Sequence, residues 1–171
     1  MDALQSILDL SLGDHLCCMY ETEEEHRAIL APFIRSGLDQ NHKVFYVVDS
    51  RTAETVFAFL EREGVATSGF MASGQLVVAE SRDTYIRGEH FDPDSMIALL
   101  GKETRRALDE GFSALRVTGE MSWALRGLPG SERLMEYEAK LNQFFPENRA
   151  IGLCQYDMRR FKPETLLDVL A

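Results

Sequence analysis

The sequence predicts an α/β fold: a three-layer sandwich with a mainly parallel sheet of at least five strands and helices on both faces. Three observations predict it. Five short apolar runs recur along the chain, most of them uninterrupted, as strands buried on both faces require. Stretches with apolar residues at helical spacing separate these runs, so strand and helix alternate over the whole length. No internal repeat, low-complexity stretch or linker breaks that alternation, and 171 residues suit one domain with a single substantial core, covering 1–171.

The first run, 15–20 (HLCCMY), enters an acidic turn of Glu21, Glu23, Glu24 and Glu25 that opens a helix over 22–39. That helix sets His26, Ile29, Leu30, Phe33, Ile34 and Leu38 at helical spacing. A second strand, 43–48 (KVFYVV), leads to a helix over 52–63 with Val56, Phe59 and Leu60 on one face. Residues 64–74 read as irregular, and 75–79 (QLVVA) as the third strand. The polar segment 81–92 carries Tyr85, Ile86 and Phe91, and is either a flap over a pocket or a solvated connector. A helix over 93–110 is capped by Asp92 or Asp94, has Pro93 in its first turn, and buries Met96, Ile97, Leu100 and Leu108. Strand 113–118 (SALRVT), a helix over 130–145 capped by Ser131, strand 150–156 (AIGLCQY) and a last helix from near Pro163 complete the order.

Charge narrows the partners. Twenty-eight acidic against 18 basic residues give a net charge of −10, which opposes non-specific binding to nucleic acid and to anionic membranes. No window holds the roughly 18 consecutive apolar residues of a membrane span. Met1-Asp2-Ala3-Leu4 lacks the basic and apolar parts of a signal peptide. Three cysteines, two of them adjacent on one strand, argue against a disulfide framework and for a reducing, cytoplasmic setting. The end at Leu170-Ala171, inside a helical pattern, reads as a domain cut from a longer protein.

In open parallel sheets, ligands bind at the carboxyl ends of the strands. Tyr20 and Glu21, then Asp49, Ser50 and Arg51, then Glu120 to Trp123, and Tyr156 with Asp157 form the expected rim. The turn after the first strand, where a glycine-rich loop and a lysine hold phosphates in nucleotide-binding proteins, instead carries four glutamates. ATP is therefore not expected there. Trp123 lies three residues beyond Glu120; the pair either shares one face of a turn and cages a small group, or Trp123 is core and Glu120 a cap. His15 and Cys17 point to one face of their strand, and Cys154 comes from another. Two readings stand for these: a bound metal ion held by His15 and Cys17 with help from Glu120 or His26, or thiols packed behind an apolar pocket. The spacing matches no compact metal signature, and no nucleophile motif is present, so nothing argues for an enzyme.

The blocks GDHLCCMYETEEE (13–25), KVFYVVDSRTAE (43–54), SGQLVVAESRDTYI (73–86), LRVTGEMSWALRGLPGSERLMEYEAKLN (115–142) and LCQYDMRRF (153–161) resemble one family along nearly the whole chain. This is the MEDS domain, the methanogen/methylotroph sensory domain of a dichloromethane-responsive regulator. The layout is also similar to the RecA/KaiC-type ATPase core without its phosphate loop. The resemblance implies a cytoplasmic sensory module attached to a histidine kinase or DNA-binding output, binding a simple hydrocarbon or one-carbon derivative. It implies ligand contacts by His15 and Cys17, with Glu120, Trp123, Tyr137, Glu138, Cys154 and Tyr156 as matching motif positions. Together with Tyr20, the residues His15, Cys17, Glu120, Trp123, Cys154 and Tyr156 form the expected ligand set. The alternative is a ligand-free interaction module, an inactivated ATPase core that forms a homodimer.

Overall fold

A computed structural model describes residues 3–171; Met1 and Asp2, the start of the N-terminal stretch read above, lie outside the described residues. Five parallel strands form one sheet: β1 (His15–Tyr20), β2 (His42–Val48), β3 (Leu76–Glu80), β4 (Ala114–Glu120) and β5 (Ala150–Asp157), in spatial order β1-β5-β4-β2-β3. Each strand lies within two residues of its expected bounds. The helices are α1 (Ala3–Leu8), α2 (Glu23–Asp39), α3 (Ala53–Arg62), α4 (Thr67–Ala72), α5 (Pro93–Asp109), α6 (Leu134–Phe144) and α7 (Pro163–Leu170).

Strand order explains the layering. From β1 the chain crosses to β2 and steps outward to β3, then returns to β4 and β5, so the connecting helices divide between the two faces. One core joins α2 and α3 to Tyr20, Tyr46 and Leu153; the other joins α5 and α6 to Val117, Cys154 and Tyr156. Strand parity decides which residue enters which core, because successive side chains alternate faces.

Local chemistry starts the helices where expected. Thr22 and Glu25 form a reciprocal capping box on α2, and Glu23, Glu24 and Glu25 sit in the first turn, where the helix dipole favours negative charge. Asp92 caps α5 through the Ser95 amide at 2.8 Å, with Pro93 in its first turn. Three expectations change, and the choice left open for 81–92 is resolved. Residues 64–74 contain α4, whose Thr67 is buried and donates to Glu61 at 2.8 Å; three glycines hid this short helix. Ser131 is not the cap of α6: its hydroxyl donates to the Leu128 carbonyl at 2.7 Å and closes a preceding turn. Leu108 is exposed, and Ala107 and Thr104 are the buried residues of that α5 turn. Segment 81–92 is a strap rather than a solvated connector, with Tyr85, Ile86 and Phe91 buried and the Phe91 amide bonded to the Pro129 carbonyl at 2.8 Å.

Candidate functional site

The expected residues divide between the two faces of the sheet. His15, Cys17, Trp123, Cys154 and Tyr156 belong to the α5/α6 face; Tyr20 and Glu120 belong to the α2/α3 face.

On the α5/α6 face, four of the five meet. Cys17 and Cys154 are register partners on neighbouring strands, and His15 lies beside Gly152. The missing side chain at Gly152 is what admits Phe145: a Cβ there would stand 2.1 Å from the Phe145 ring. Phe145 in turn stacks on the His15 imidazole, with centroids 5.3 Å apart and planes at 21°. Glu138 of α6 completes the group. Its Oε2 lies 3.4 Å from His15 Nε2 and 4.0 Å from Cys17 Sγ, and its Oε1 accepts from the Tyr156 hydroxyl. Cys154 Sγ lies 3.4 Å from His15 Nε2, and Asn142 Oδ1 lies 2.8 Å from His15 Nδ1.

Burial dominates the electrostatics of this group. It raises the Glu138 carboxyl above the usual carboxylate range, against the opposing pull of His15 and Tyr156. It pushes the Cys17 thiol up to about 12, with Glu138 and Cys18 adding to the effect. The Cys154 thiol and Tyr156 phenol rise for the same reason. These thiols are therefore neutral at pH 7, and Cys17, Cys18 and Cys154 are all free. A column of aromatic rings continues inward: Tyr137 meets Tyr85 edge to face at 5.9 Å, and Tyr85 stacks on Trp123 at 5.0 Å. Trp123 is wholly buried, also touching Phe91 at 4.2 Å, with its indole N–H unpartnered. Gly119 opposite Cys154 leaves room for the Tyr85 hydroxyl, and the adjoining void of ≈ 10 Å³ holds about one water centre.

On the α2/α3 face, Glu120 ends β4 beside β2, where the connections diverge to opposite faces. Its Oε2 accepts from the backbone amides of Asp49, Ser50 and Arg51 at 2.5, 2.7 and 3.1 Å, and its Oε1 from Arg51 Nη1 at 2.8 Å. Arg51 also donates to the Tyr20 hydroxyl at 3.1 Å and to Glu23 at 2.9 Å. The anion-binding turn at the switch point is thus filled by a carboxylate of the same chain. Likewise, Glu25 accepts from the Glu21 and Thr22 amides at the start of α2. Glu120 and Trp123 do not share a face, because β4 ends at Glu120 and the following 3₁₀ turn carries Trp123 into the opposite core. His26 stays on the α2/α3 face as well, bonded to Gln155 at 2.7 Å, and so is remote from His15 and Cys17.

Asn142 and Arg51 were missing from the expected ligand set, and Glu138 entered only by family resemblance. Glu138 had a signal: it follows Leu134 and Tyr137 at positions that place a carboxylate on the buried stripe of α6. Asn142, four residues on and exposed, had none.

Residues 14–171 match the family model "MEDS: MEthanogen/methylotroph, DcmR Sensory domain". The chain is 25% identical over 167 residues to the transcriptional repressor DcmR of Methylorubrum extorquens, covering 95% of this chain and 59% of that protein. It thus spans less than two thirds of that relative. Among solved structures, a KaiC-like protein from Pyrococcus horikoshii superposes with a TM-score of 0.63 at 16% identity, over 86% of this chain and 62% of that one. An uncharacterized protein of the same archaeon, crystallised with an unknown peptide, gives 0.71 at 14% identity, over 94% and 75%. At these identities the two structures speak for the fold alone, and it is KaiC-like.

Proposed function

This chain belongs to the MEDS family of sensory domains, and from that premise we propose that it reads a small, weakly polar organic molecule for a transcription-regulator output. The observation that carries this reading is the group of His15, Cys17, Glu138, Cys154 and Tyr156. An imidazole, a buried carboxylate and two thiols lie against an aromatic core, and His15 and Cys17, only partly buried as residues, sit on edge strand β1. Such a group offers apolar contact with few polar groups to orient a ligand. The repressor relative favours a DNA-binding output over a histidine kinase. Glu25 supports a non-enzymatic role, since it occupies amides of the turn after β1 where a nucleotide phosphate would otherwise be held, and Glu120 fills those of the turn after β2.

A path for the signal is built in. Tyr156 bonds Glu138 and meets Phe161 edge to face at 5.0 Å, just before α7. A ligand that bonds Glu138 competes with Tyr156 and biases the seat of α7. Calorimetric titration with small alcohols, methylamines and halomethanes tests the reading. Saturable binding is expected, weakened at least tenfold by His15→Ala and unchanged by Arg82→Ala. Absence of binding, or binding indifferent to His15, overturns it.

A second reading, an interaction module without ligand, draws on Leu167 and Leu170 of α7, each 66% exposed. Light scattering separates the two: a ligand-indifferent dimer broken by Leu167→Lys favours the second.

A further inference from the structure

We propose that His15, Cys17 and Glu138 form a binding site for a borderline-soft divalent cation of the zinc class. One donor atom from each residue lies within 4.8 Å of the other two. The His15 Nε2 to Glu138 Oε2 separation is 3.4 Å and the Cys17 Sγ to Glu138 Oε2 separation 4.0 Å. Ligands bonded at zinc distances to one tetrahedral centre stand about 3.3–3.8 Å apart, so the group needs only slight closure. Imidazole nitrogen, thiolate and carboxylate together suit such a cation better than a hard one.

The surrounding bonds point the same way. Asn142 Oδ1 can only accept, so His15 Nδ1 carries the proton and Nε2 presents its lone pair to the group. Tyr156 donates to Glu138 Oε1 and leaves Oε2 facing His15 and Cys17. Outer partners of this kind fix the tautomer and orientation of metal ligands. Cys154 Sγ, 3.4 Å from His15 Nε2, flanks the site. His15 and Cys17 lie on edge strand β1 at the margin of the sheet, with the His15 side chain 6% exposed. On binding, the Cys17 S–H bond breaks, its proton passes to solvent and the sulfur–metal bond forms, with no change of oxidation state.

The cation would supply a Lewis-acidic centre for an oxygen, nitrogen or halogen substituent on the organic ligand. In that respect the inference rests on the sensory reading above, whereas cation binding is measured with no organic molecule present. Chelator-stripped, reduced protein is titrated with cobalt(II) and then with zinc(II). One cobalt per chain is expected, with a thiolate-to-cobalt charge-transfer band in the near ultraviolet that zinc abolishes. Cys17→Ser removes the band, while Cys18→Ser, on the opposite face, retains it. Asn142→Ala, an exposed change that spares the core, weakens binding about 10- to 100-fold. A wild type without the band, or a Cys17→Ser protein with an undiminished one, overturns the site. Cobalt bound with no organic ligand accepted overturns the sensory reading alone; organic binding to protein that takes no cobalt overturns the cation site alone.

Discussion

Replacing Glu120 by alanine removes the acceptor for three backbone amides and one guanidinium N–H. The three amides have no ready substitute, while Arg51 Nη1 keeps the Tyr20 hydroxyl. The Glu120 side chain is 2% exposed and that of Arg51 10%, so water reaches the gap poorly. A hydrogen bond to a charged group contributes about 1.5–3 kcal/mol, and breaking a buried ion pair by deleting one partner costs about 3–5 kcal/mol. The four bonds share one carboxylate and do not add, so about 3–5 kcal/mol is the expected loss for Glu120→Ala. For a chain of this length that lowers Tm by about 6–20 °C. Glu120→Gln keeps one acceptor but turns an amide NH₂ toward donors, and is expected to cost about 2–3 kcal/mol. Urea unfolding with unchanged m-values measures both variants. Arg51→Ala completes a cycle in which a coupling of at least about 1 kcal/mol is expected. A Glu120→Ala protein within about 1 kcal/mol of wild type refutes the idea that this carboxylate fills the turn as an internal ligand.

Three further outcomes are expected. Gly152→Ala drives a methyl into the Phe145 ring and should cost about 1–3 kcal/mol while weakening any ligand or cation held by His15, read by thermal melting and cobalt titration. Thr22→Ala removes the α2 cap and should cost about 1 kcal/mol; a neutral result in urea denaturation speaks against the capping box. Burial, aided by Arg51, lowers the His26 pKa from 6.5 to about 4, so the unfolded chain binds its proton first as pH falls. His26 thus contributes stability in full above pH 6.5 that is lost progressively down to about pH 4, with a slope of up to about 1.4 kcal/mol per pH unit. His26→Gln should flatten the melting profile in that window, and an unchanged slope would count against a neutral buried imidazole.

Much of the fold was legible because each signal was local. Short apolar runs marked all five strands, and Asp92 and Pro93 announced their helix through a cap and a fixed φ. The errors share one cause. α4 owes its form to the tertiary contact of Thr67 and carries no strong propensity, just as Tyr85 and Phe91 decide between the two readings left open for 81–92. Ser131 was a sound cap by composition, yet its hydroxyl found the Leu128 carbonyl instead.

The candidate site was legible in type more than in arrangement. Alternation along β1 does place His15 and Cys17 on one face, and that much needed no coordinates. Strand order then decided that Cys154 lies beside them, while α6 decided that Glu138 closes the group. The same order set Glu120 against the turn after β2 and sent Trp123 into the opposite core, separating two residues only three apart in sequence. By itself, then, the sequence determined the alternation of strand and helix, the cap of α5, and the acidic turn in place of a phosphate loop. Only the tertiary structure decided which side chains meet, because adjacency across a parallel sheet is created by crossovers between distant segments.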